Sequence, residues 1–265
     1  MSIFEARSIS AAYGQKKVID GLSFTLEKGR LMGMLGANGS GKTTLIKSIC
    51  GILPHEGECV LEGEKLEGLS ARQMAKKCSY IPQRSGISID ISALDVTLMG
   101  FNAQLGLLEH PGREMREKAC RALEKVGLGG RENVNYLHLS EGQKQLCILA
   151  RTLVSDGRLL LLDEPESALD FRFRYRMLGI IRDWVRSGRF GLIALHDPVL
   201  ALNMCDELLV LEGGRCLGVL KPASDPIEKM EDMLSAIYGK VSLTLCKDRS
   251  GRQHMVMLKE EEEGL

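Results

Sequence analysis

Residues Gly36-Ala37-Asn38-Gly39-Ser40-Gly41-Lys42-Thr43 form the most informative stretch of this sequence, because they complete the pattern G-x-x-x-x-G-K-[ST]. The apolar run Leu31–Leu35 comes directly before the pattern, and a stretch typical of a helix, residues 43–50, begins at its end. Glycines let consecutive backbone N–H groups turn toward phosphate oxygens, and the first turn of a helix adds further donors. The sequence therefore predicts a strand, a phosphate-binding loop and a helix in succession.

Two side chains of this loop have the chemistry that a nucleoside triphosphate requires. Lys42 supplies a cation for the outer phosphates, and the hydroxyl of Thr43 is a suitable ligand for Mg²⁺. The alternative is a turn that only joins a strand to a helix, but such a turn does not require the complete pattern. We therefore assign nucleotide binding to the loop and the residue after it: Gly36, Ala37, Asn38, Gly39, Ser40, Gly41, Lys42, Thr43 and Thr44.

The length and composition of the chain exclude several classes of protein. The chain has 265 residues, enough for one large domain or for a domain with a small appendage. Acidic and basic residues balance at 35 each, so no overall positive field marks a nucleic-acid-binding protein. The N-terminus lacks the apolar core of a signal peptide, and no apolar run approaches the roughly 20 residues of a membrane span. We expect a soluble, cytoplasmic protein.

The eight cysteines are scattered, without a C-x-x-C pair, and most lie among apolar residues. This distribution favours buried free thiols in a reducing compartment over disulfides or metal ligands. The residues are Cys50, Cys59, Cys78, Cys120, Cys147, Cys205, Cys216 and Cys246.

Short apolar strands alternate with helical patterns along most of the chain, which is typical of an α/β fold. Residues 92–154 differ, because they read as helices with hardly a strand and therefore suggest an inserted helical subdomain. Residues 212–215 carry a hairpin signal. Beyond them we predict a helix over 226–238, two strands over 241–246 and 255–258, and an acidic tail over 260–263.

A second site is predicted at the end of the leucine-rich run Leu159–Asp163. Four consecutive leucines indicate a strand that is buried on both faces, as in the centre of a parallel sheet. Ligands of open α/β sheets bind at the carboxyl ends of the strands. We therefore predict that Asp163 helps to bind Mg²⁺ and that Glu164 accepts a proton from an attacking water. The alternative is that these acids only end the strand.

Residues Leu139-Ser140-Glu141-Gly142-Gln143 predict the start of a helix, because Ser140 and Gln143 form an S-x-x-Q capping box. The N–H groups of that first turn would make an anion site. Taken alone, an ordinary capped helix explains this segment adequately.

Together these segments resemble the ATP-binding subunits of ABC transporters. Residues 36–43 match the Walker A motif and residues 159–164 the Walker B motif with its following glutamate. Residues 139–143 match the LSGGQ signature and residues 167–170 the D-loop, while Gln83 and His196 match the Q-loop glutamine and the switch histidine. The match runs from about residue 3 to residue 219 in the family's order and spacing. A P-loop kinase has no reason to carry the signature.

The resemblance implies a fold and a domain organisation. It implies an α/β P-loop NTPase (RecA-like) core with an antiparallel β subdomain and an inserted helical subdomain at about 88–155. The ATP-binding domain would span residues 1–221. Residues 222–265 would form a C-terminal extension of one helix and a short β segment with the acidic tail.

The resemblance also implies roles for single residues. Tyr13 would stack on adenine, although packing within a sheet is the alternative for this ring. Gln83 would contact Mg²⁺ together with Thr43 and Asp163, and His196 would contact the γ-phosphate. The implied catalytic residues are Glu164, His196 and Lys42. Ser140, Gly142 and Gln143 would act in trans, on ATP held by a second ATPase subunit in a head-to-tail homodimer.

Two residues depart from the family pattern. Glu141 replaces the first glycine of the signature and brings a negative charge toward a phosphate. Leu146 stands where many relatives carry arginine. Either change could weaken closure around ATP, but Ser140 and Gly142 are retained, so we expect activity to survive.

One ATPase domain without a membrane span implies a subunit that docks on separate permease chains, peripheral on the inner face of the membrane. Residues 89–100 resemble the ATPases of iron-siderophore, haem and cobalamin importers, in which a substrate-binding protein takes part indirectly. We predict that residues 84–99 dock the permease, with Ile87, Ile89, Ile91, Leu94 and Leu98 as candidates. The alternative function is a soluble ABC ATPase that scaffolds iron-sulfur cluster assembly.

Overall fold

The computed structural model describes residues 2–83, 86–106, 108–167 and 169–260. In these ranges the strands are β1 (Ile3–Tyr13), β2 (Lys16–Glu27), β3 (Leu31–Leu35), β4 (Glu56–Leu61), β5 (Glu64–Lys65), β6 (Cys78–Ile81), β7 (Leu159–Asp163), β8 (Phe190–Ala194), β9 (Glu207–Glu212), β10 (Arg215–Leu220), β11 (Val241–Lys247) and β12 (Gln253–Lys259). The helices are α1 (Lys42–Ile49), α2 (Ala71–Lys77), α3 (Ala93–Leu98), α4 (Arg113–Val126), α5 (Glu141–Leu153), α6 (Phe171–Arg186), α7 (Pro198–Met204) and α8 (Ile227–Tyr238). Short 3₁₀ helices cover Met99–Phe101 and Tyr136–His138.

The chain divides into two compact units, one formed by Met1–Glu67 with Leu192–Leu265 and the other by Gly68–Gly191. In the first unit, an antiparallel sheet has the strand order β2-β1-β4-β5. The same unit pairs β3 with β9 in parallel and β9 with β10 in antiparallel fashion. All five residues of β3 are buried, as expected for a parallel strand covered on both faces.

The second unit pairs β6 with β7 in parallel, and all five residues of β7 are buried. Between these two strands the described residues form helices, with one isolated bridge from Ser92 to Asn135. Leu98, Phe101 and Ala119 form a small apolar core there, against which Leu94 packs. The predicted α/β class with an antiparallel β layer is confirmed, whereas the boundaries of the helical insertion at about 88–155 stay a prediction.

Some strands are longer than their sequence pattern predicts. The apolar pattern predicts a strand over residues 3–8, but β1 continues to Tyr13. At Ser8 the backbone adopts a φ of 51°, and the pairing with β2 shifts register between Ala6 and Ile9. Such a bulge adds a residue to one strand without ending the pairing. The two-residue strand β5 has no periodicity to detect, and the sequence reading missed it.

The C-terminal extension has the elements that the sequence predicted. Helix α8 is followed by the hairpin β11–β12, whose register pairs Val241 with Lys259. Asn203 of α7 anchors the hairpin, since its amide group donates to the Met255 carbonyl at 2.8 Å and accepts the Met255 N–H at 2.9 Å. Of the predicted acidic tail, residues 261–263 lie outside the described residues.

Most of the cysteines are buried, as predicted, and none of the eight, all of which lie within the described ranges, forms a disulfide; Cys246 is exposed. Burial raises the pKa of Cys78 to about 12 and that of Cys147 to about 11, so both are protonated thiols at neutral pH. Trp184 is also buried, on the apolar face of α6 that includes Met177 and Ile181. Among the described helices, none is both long and apolar enough to cross a bilayer.

The β9–β10 turn gives a test of backbone constraint. Gly213 and Gly214 both have positive φ, but a Cβ on Gly214 would lie 2.0 Å from the Val18 carbonyl oxygen, whereas one on Gly213 would meet nothing within 4 Å. We expect Gly213→Ala to lower the free energy of unfolding by about 1 to 2 kcal/mol through backbone strain alone. Gly214→Ala adds a clash and should cost at least about 2 kcal/mol more.

Urea unfolding followed by circular dichroism measures this difference. Equal losses in the two variants would show that contact with Val18 does not constrain the turn.

Candidate functional site

The phosphate-binding loop follows β3 directly, and its conformation excludes side chains at its glycines. Gly39 and Gly41 have φ of 81° and 101°. A Cβ on Gly36 would lie 2.5 Å from both the Leu211 carbonyl oxygen and Ser40 Oγ. The chain therefore forms a narrow turn without side chains at its glycines, where an anion can approach the backbone closely.

The side chains of the loop fit a triphosphate. Lys42 is 5% exposed, and its ammonium group donates to the carbonyl oxygens of Gly36 at 2.7 Å and Ala37 at 3.4 Å. These contacts hold the cation within the loop. Ser40 Oγ is buried and has no hydrogen-bond partner among the described residues. Thr44 is buried as well, while Thr43 at the start of α1 remains partly exposed.

His196 belongs to the same compact unit as this loop and lies near the loop in space. The Leu195 N–H donates to the Met34 carbonyl at 3.2 Å, one residue before His196 and two before Gly36. The imidazole is exposed, and Asp197 caps the following helix α7 by accepting the Leu200 N–H at 3.0 Å. The structure thus places the histidine at the carboxyl end of its strand, as the sequence predicted.

Tyr13 ends β1, where it pairs with Lys16 across the turn to β2. Its side chain is 49% exposed. About half of the residue is therefore accessible to a planar ligand, and its role toward adenine stays a prediction.

Tyr238, at the end of α8, is a residue of this region that sequence reasoning missed. Burial raises the pKa of its phenol to about 12, and a hydrogen bond with the Gly36 backbone acts in the opposite direction. The hydroxyl is therefore neutral at physiological pH. Tyr238 and Gly36 are about 200 residues apart, and no local motif signals a contact of this range.

In the second unit, Glu164 stands directly after β7 in an unusual conformation. It is 7% exposed and has a φ of 50°, which non-glycine residues seldom adopt. The Gln83 amide donates to Glu164 Oε2 at 2.7 Å. The structure therefore brings the predicted general base and the predicted Q-loop glutamine into contact. Asp163, the last residue of β7, is 3% exposed.

Gln145 of α5 connects the signature helix to this pair. Its amide donates to the Gln83 carbonyl oxygen at 2.8 Å, while its own Oε1 is buried without a hydrogen-bond partner in the described part of the chain. No local motif signals this contact, because Gln145 lies beyond the signature of residues 139–143.

The signature begins α5 as predicted. Ser140 accepts the Gln143 N–H at 3.3 Å, and the Gln143 side chain accepts the Ser140 N–H at 3.1 Å, which completes the capping box. Gly142 and Gln143 are partly exposed in the first turn. The D-loop is described except for Ala168, and its Asp170 caps α6 by accepting the Phe173 N–H at 3.0 Å.

Both departures from the signature pattern have a local explanation. The Glu141 side chain is 76% exposed and pairs with Lys144 at 2.7 Å on the same helix. This pair offsets the added negative charge. Leu146 is 1% exposed, so its position is apolar and buried, where leucine packs without the cost of burying a guanidinium group.

Comparison with known proteins agrees with these motifs. The family described as ABC transporter matches residues 19–167. The hemin import ATP-binding protein HmuV of Pseudomonas fluorescens is 37% identical over 89% of this chain and 92% of that protein. A Helicobacter pylori protein named "Probable iron chelatin transport ATP-binding protein" is 34% identical over 89% of this chain and 92% of its own length.

Solved structures agree on the fold. A chain from an inward-facing ABC transporter assigned to the metal-chelate type superposes with a TM-score of 0.82 at 23% identity, covering 98% of this chain and 99% of that chain. A nucleotide-free ATP-binding cassette gives a TM-score of 0.77 at 24% identity, covering 89% of this chain and 96% of that chain. From its motifs, its family match and its relatives, the chain belongs to the ABC transporter family, of which it is an ATP-binding ATPase subunit.

Proposed function

We propose that this ATPase powers an importer of iron-chelate or haem cargo. The observation that carries the proposal is relatedness along nearly the whole chain to proteins named for hemin import and iron chelatin transport. The soluble alternative, a scaffold for iron-sulfur cluster assembly, has no such relative among these proteins.

ATP is the nucleotide that we propose for the loop of residues 36–44. Backbone N–H groups and the unpaired Ser40 hydroxyl would bind phosphate oxygens, and the Lys42 ammonium would move from its carbonyl partners to the outer phosphates. Tyr13 would stack on adenine. Tyr238 would stabilise the loop through its hydrogen bond with the Gly36 backbone.

Mg²⁺ is the cation that we propose with ATP. Thr43, Gln83 and Asp163 offer a hydroxyl, an amide oxygen and a carboxylate, which are the hard oxygen ligands that this ion prefers. When bound, the ion would neutralise charge on the phosphate oxygens. Gln83 uses its N–H for Glu164, so its amide oxygen is the atom left for a cation.

For hydrolysis, we propose that Glu164 accepts a proton from the attacking water. The hydrogen bond from Gln83 orients the Glu164 carboxylate, which is the group that would accept the proton. His196 would donate a hydrogen bond to the γ-phosphate. The buried, strained position of Glu164 restricts its side chain to few orientations.

The signature segment is proposed to act on ATP of a second ATPase subunit. Ser140, Gly142 and Gln143 would offer the N-terminus of the 13-residue helix α5 to the γ-phosphate. In a homodimer of this kind ATP supplies interface contacts and hydrolysis removes them, which converts chemistry into opening and closing.

We also propose that the ATPase binds permease chains at the inner face of the membrane. A substrate-binding protein would take part only indirectly. Of the predicted docking residues, Leu98 is buried and the partly buried Leu94 packs on the same small core, so both are weaker candidates than an exposed residue. Ile89 is 55% exposed and remains the leading candidate. Arg84 and Ser85 of the predicted docking segment lie outside the described residues.

Lys42→Ala tests nucleotide binding. Loss of charge-assisted hydrogen bonds, each worth about 1.5 to 3 kcal/mol, should weaken ATP affinity by at least about 30-fold in calorimetry. Lys47→Ala in the last turn of α1 is the matched control and should keep normal affinity. Equal affinities in the two variants would remove the basis of this site.

Glu164→Gln tests the general base, because it keeps the size and the hydrogen bonding of the side chain. ATP should still bind, while kcat should fall by about 10² to 10⁴-fold. With ATP and Mg²⁺, a closed dimer should accumulate in light scattering. Glu117→Gln, which changes a surface partner of Arg113, is the control and should hydrolyse ATP normally. A strictly monomeric Glu164→Gln protein would contradict the trans arrangement.

Ile89→Glu tests permease docking. The charge should leave basal ATP hydrolysis intact but reduce pull-down of the co-expressed permease and uptake into vesicles. Ile52→Glu is the matched control, since Ile52 is 57% exposed and lies in the other unit. Full coupling in Ile89→Glu, or a stable complex with cluster-assembly proteins, would favour the soluble alternative.

A further inference from the structure

Three potential metal ligands meet in the first unit, on segments that carry none of the nucleotide motifs. His55 lies in the loop after α1, Cys59 lies in β4, and Glu67 follows β5. His55 Nε2 is 3.2 Å from Glu67 Oε1 and 4.0 Å from Cys59 Sγ. One ligand atom from each residue lies within 4.8 Å of the other two.

These distances are close to those around a tetrahedral zinc ion. Bonds of about 2.0 to 2.3 Å to nitrogen, oxygen and sulfur place neighbouring ligand atoms roughly 3.3 to 3.7 Å apart. The His55–Glu67 distance is already near that range, and the widest separation has to shrink by only about 1 Å. Side-chain rotation of the exposed Glu67 supplies a movement of this size.

The three ligands differ in exposure, and one hydrogen bond already holds two of them together. Cys59 is 0% exposed, the His55 side chain is 9% exposed and that of Glu67 is 32% exposed. Glu67 Oε1 accepts the Cys59 N–H at 2.6 Å, which holds the carboxylate beside the thiol. A thiol, an imidazole and a carboxylate in one partly buried cluster are the donor set that zinc favours.

A cavity lies beside one of the three ligands. It has a volume of about 310 Å³ and is lined by His55 together with Ser10, Lys17 and Glu56, but by neither Cys59 nor Glu67. Lys17 pairs with Asp20 at 2.6 Å, and Glu56 adds a negative charge to the lining. The cavity therefore gives solvent and a hydrated cation access to the imidazole of His55.

We propose that His55 Nε2, Cys59 Sγ and a Glu67 carboxylate oxygen bind one zinc-class divalent ion, with water as the fourth ligand. The thiol proton of Cys59 passes to solvent as the metal–sulfur bond forms, and no group changes oxidation state. The ion would join the loop after α1 to β4 and to the segment after β5. This site is independent of the transport function proposed above.

Cobalt substitution on the full-length protein tests the site. After chelator treatment, Co²⁺ should produce a thiolate-to-cobalt absorption band, and one equivalent of Zn²⁺ should abolish it. Cys59→Ser should lose the band and the bound zinc. His55→Ala and Glu67→Gln should each weaken binding by at least about 10-fold, in line with the loss of one ligand.

Cys246→Ser, which changes an exposed cysteine of β11, is the matched control and should bind like the wild type. Zn²⁺ should also raise the melting temperature of the wild type by about 2 °C or more, and leave that of Glu67→Gln unchanged. Because Cys59 is buried, ATP binding and circular dichroism verify that each variant is folded. A folded wild type without a thiolate band, or a band lost in Cys246→Ser instead, would overturn the proposal and leave an ordinary His55–Glu67 ion pair.

Discussion

The turn that follows β3 depends on the absence of side chains at its glycines. A single methyl group at Gly36 would meet both the Leu211 carbonyl and Ser40, so the loop, its neighbour β9 and the start of α1 occupy their positions only because no Cβ is present there. The same loop holds the Lys42 ammonium, which donates to the Gly36 carbonyl oxygen. Phosphate binding is in this sense a property of the main chain, to which one ammonium group is added.

The functional groups of the second unit are positioned in a different way. There the functional groups are side chains, and their placement depends on hydrogen bonds between distant segments. Gln145 holds the backbone of Gln83, and Gln83 holds the carboxylate of Glu164. A change in the start of α5 therefore has a short physical route to the proposed base, through two amides rather than through the helix as a whole. Double-mutant cycles at Gln145 and Gln83 measure the coupling energy along this route.

Prediction from the sequence succeeded where a local pattern determines the structure. The bounds of β3 and β7 follow from continuous apolar runs, and the cap of α5 from Ser140 and Gln143. It failed where a bulge interrupts alternation, as at Ser8, and where residues meet across long stretches of chain. Tyr238 and the His55–Cys59–Glu67 cluster belong to this last class, since no spacing rule signals them.

The contact of Tyr238 with Gly36 gives the C-terminal segment a consequence for experimental design. Residues 222–265 lie beyond the region that carries the family motifs, and a shortened chain would be an obvious choice for expression. Such a chain would lose the phenol that contacts the first glycine of the nucleotide loop and the hairpin that Asn203 anchors. ATP affinities measured on a truncated protein would then describe a nucleotide loop that lacks the Tyr238 contact at Gly36.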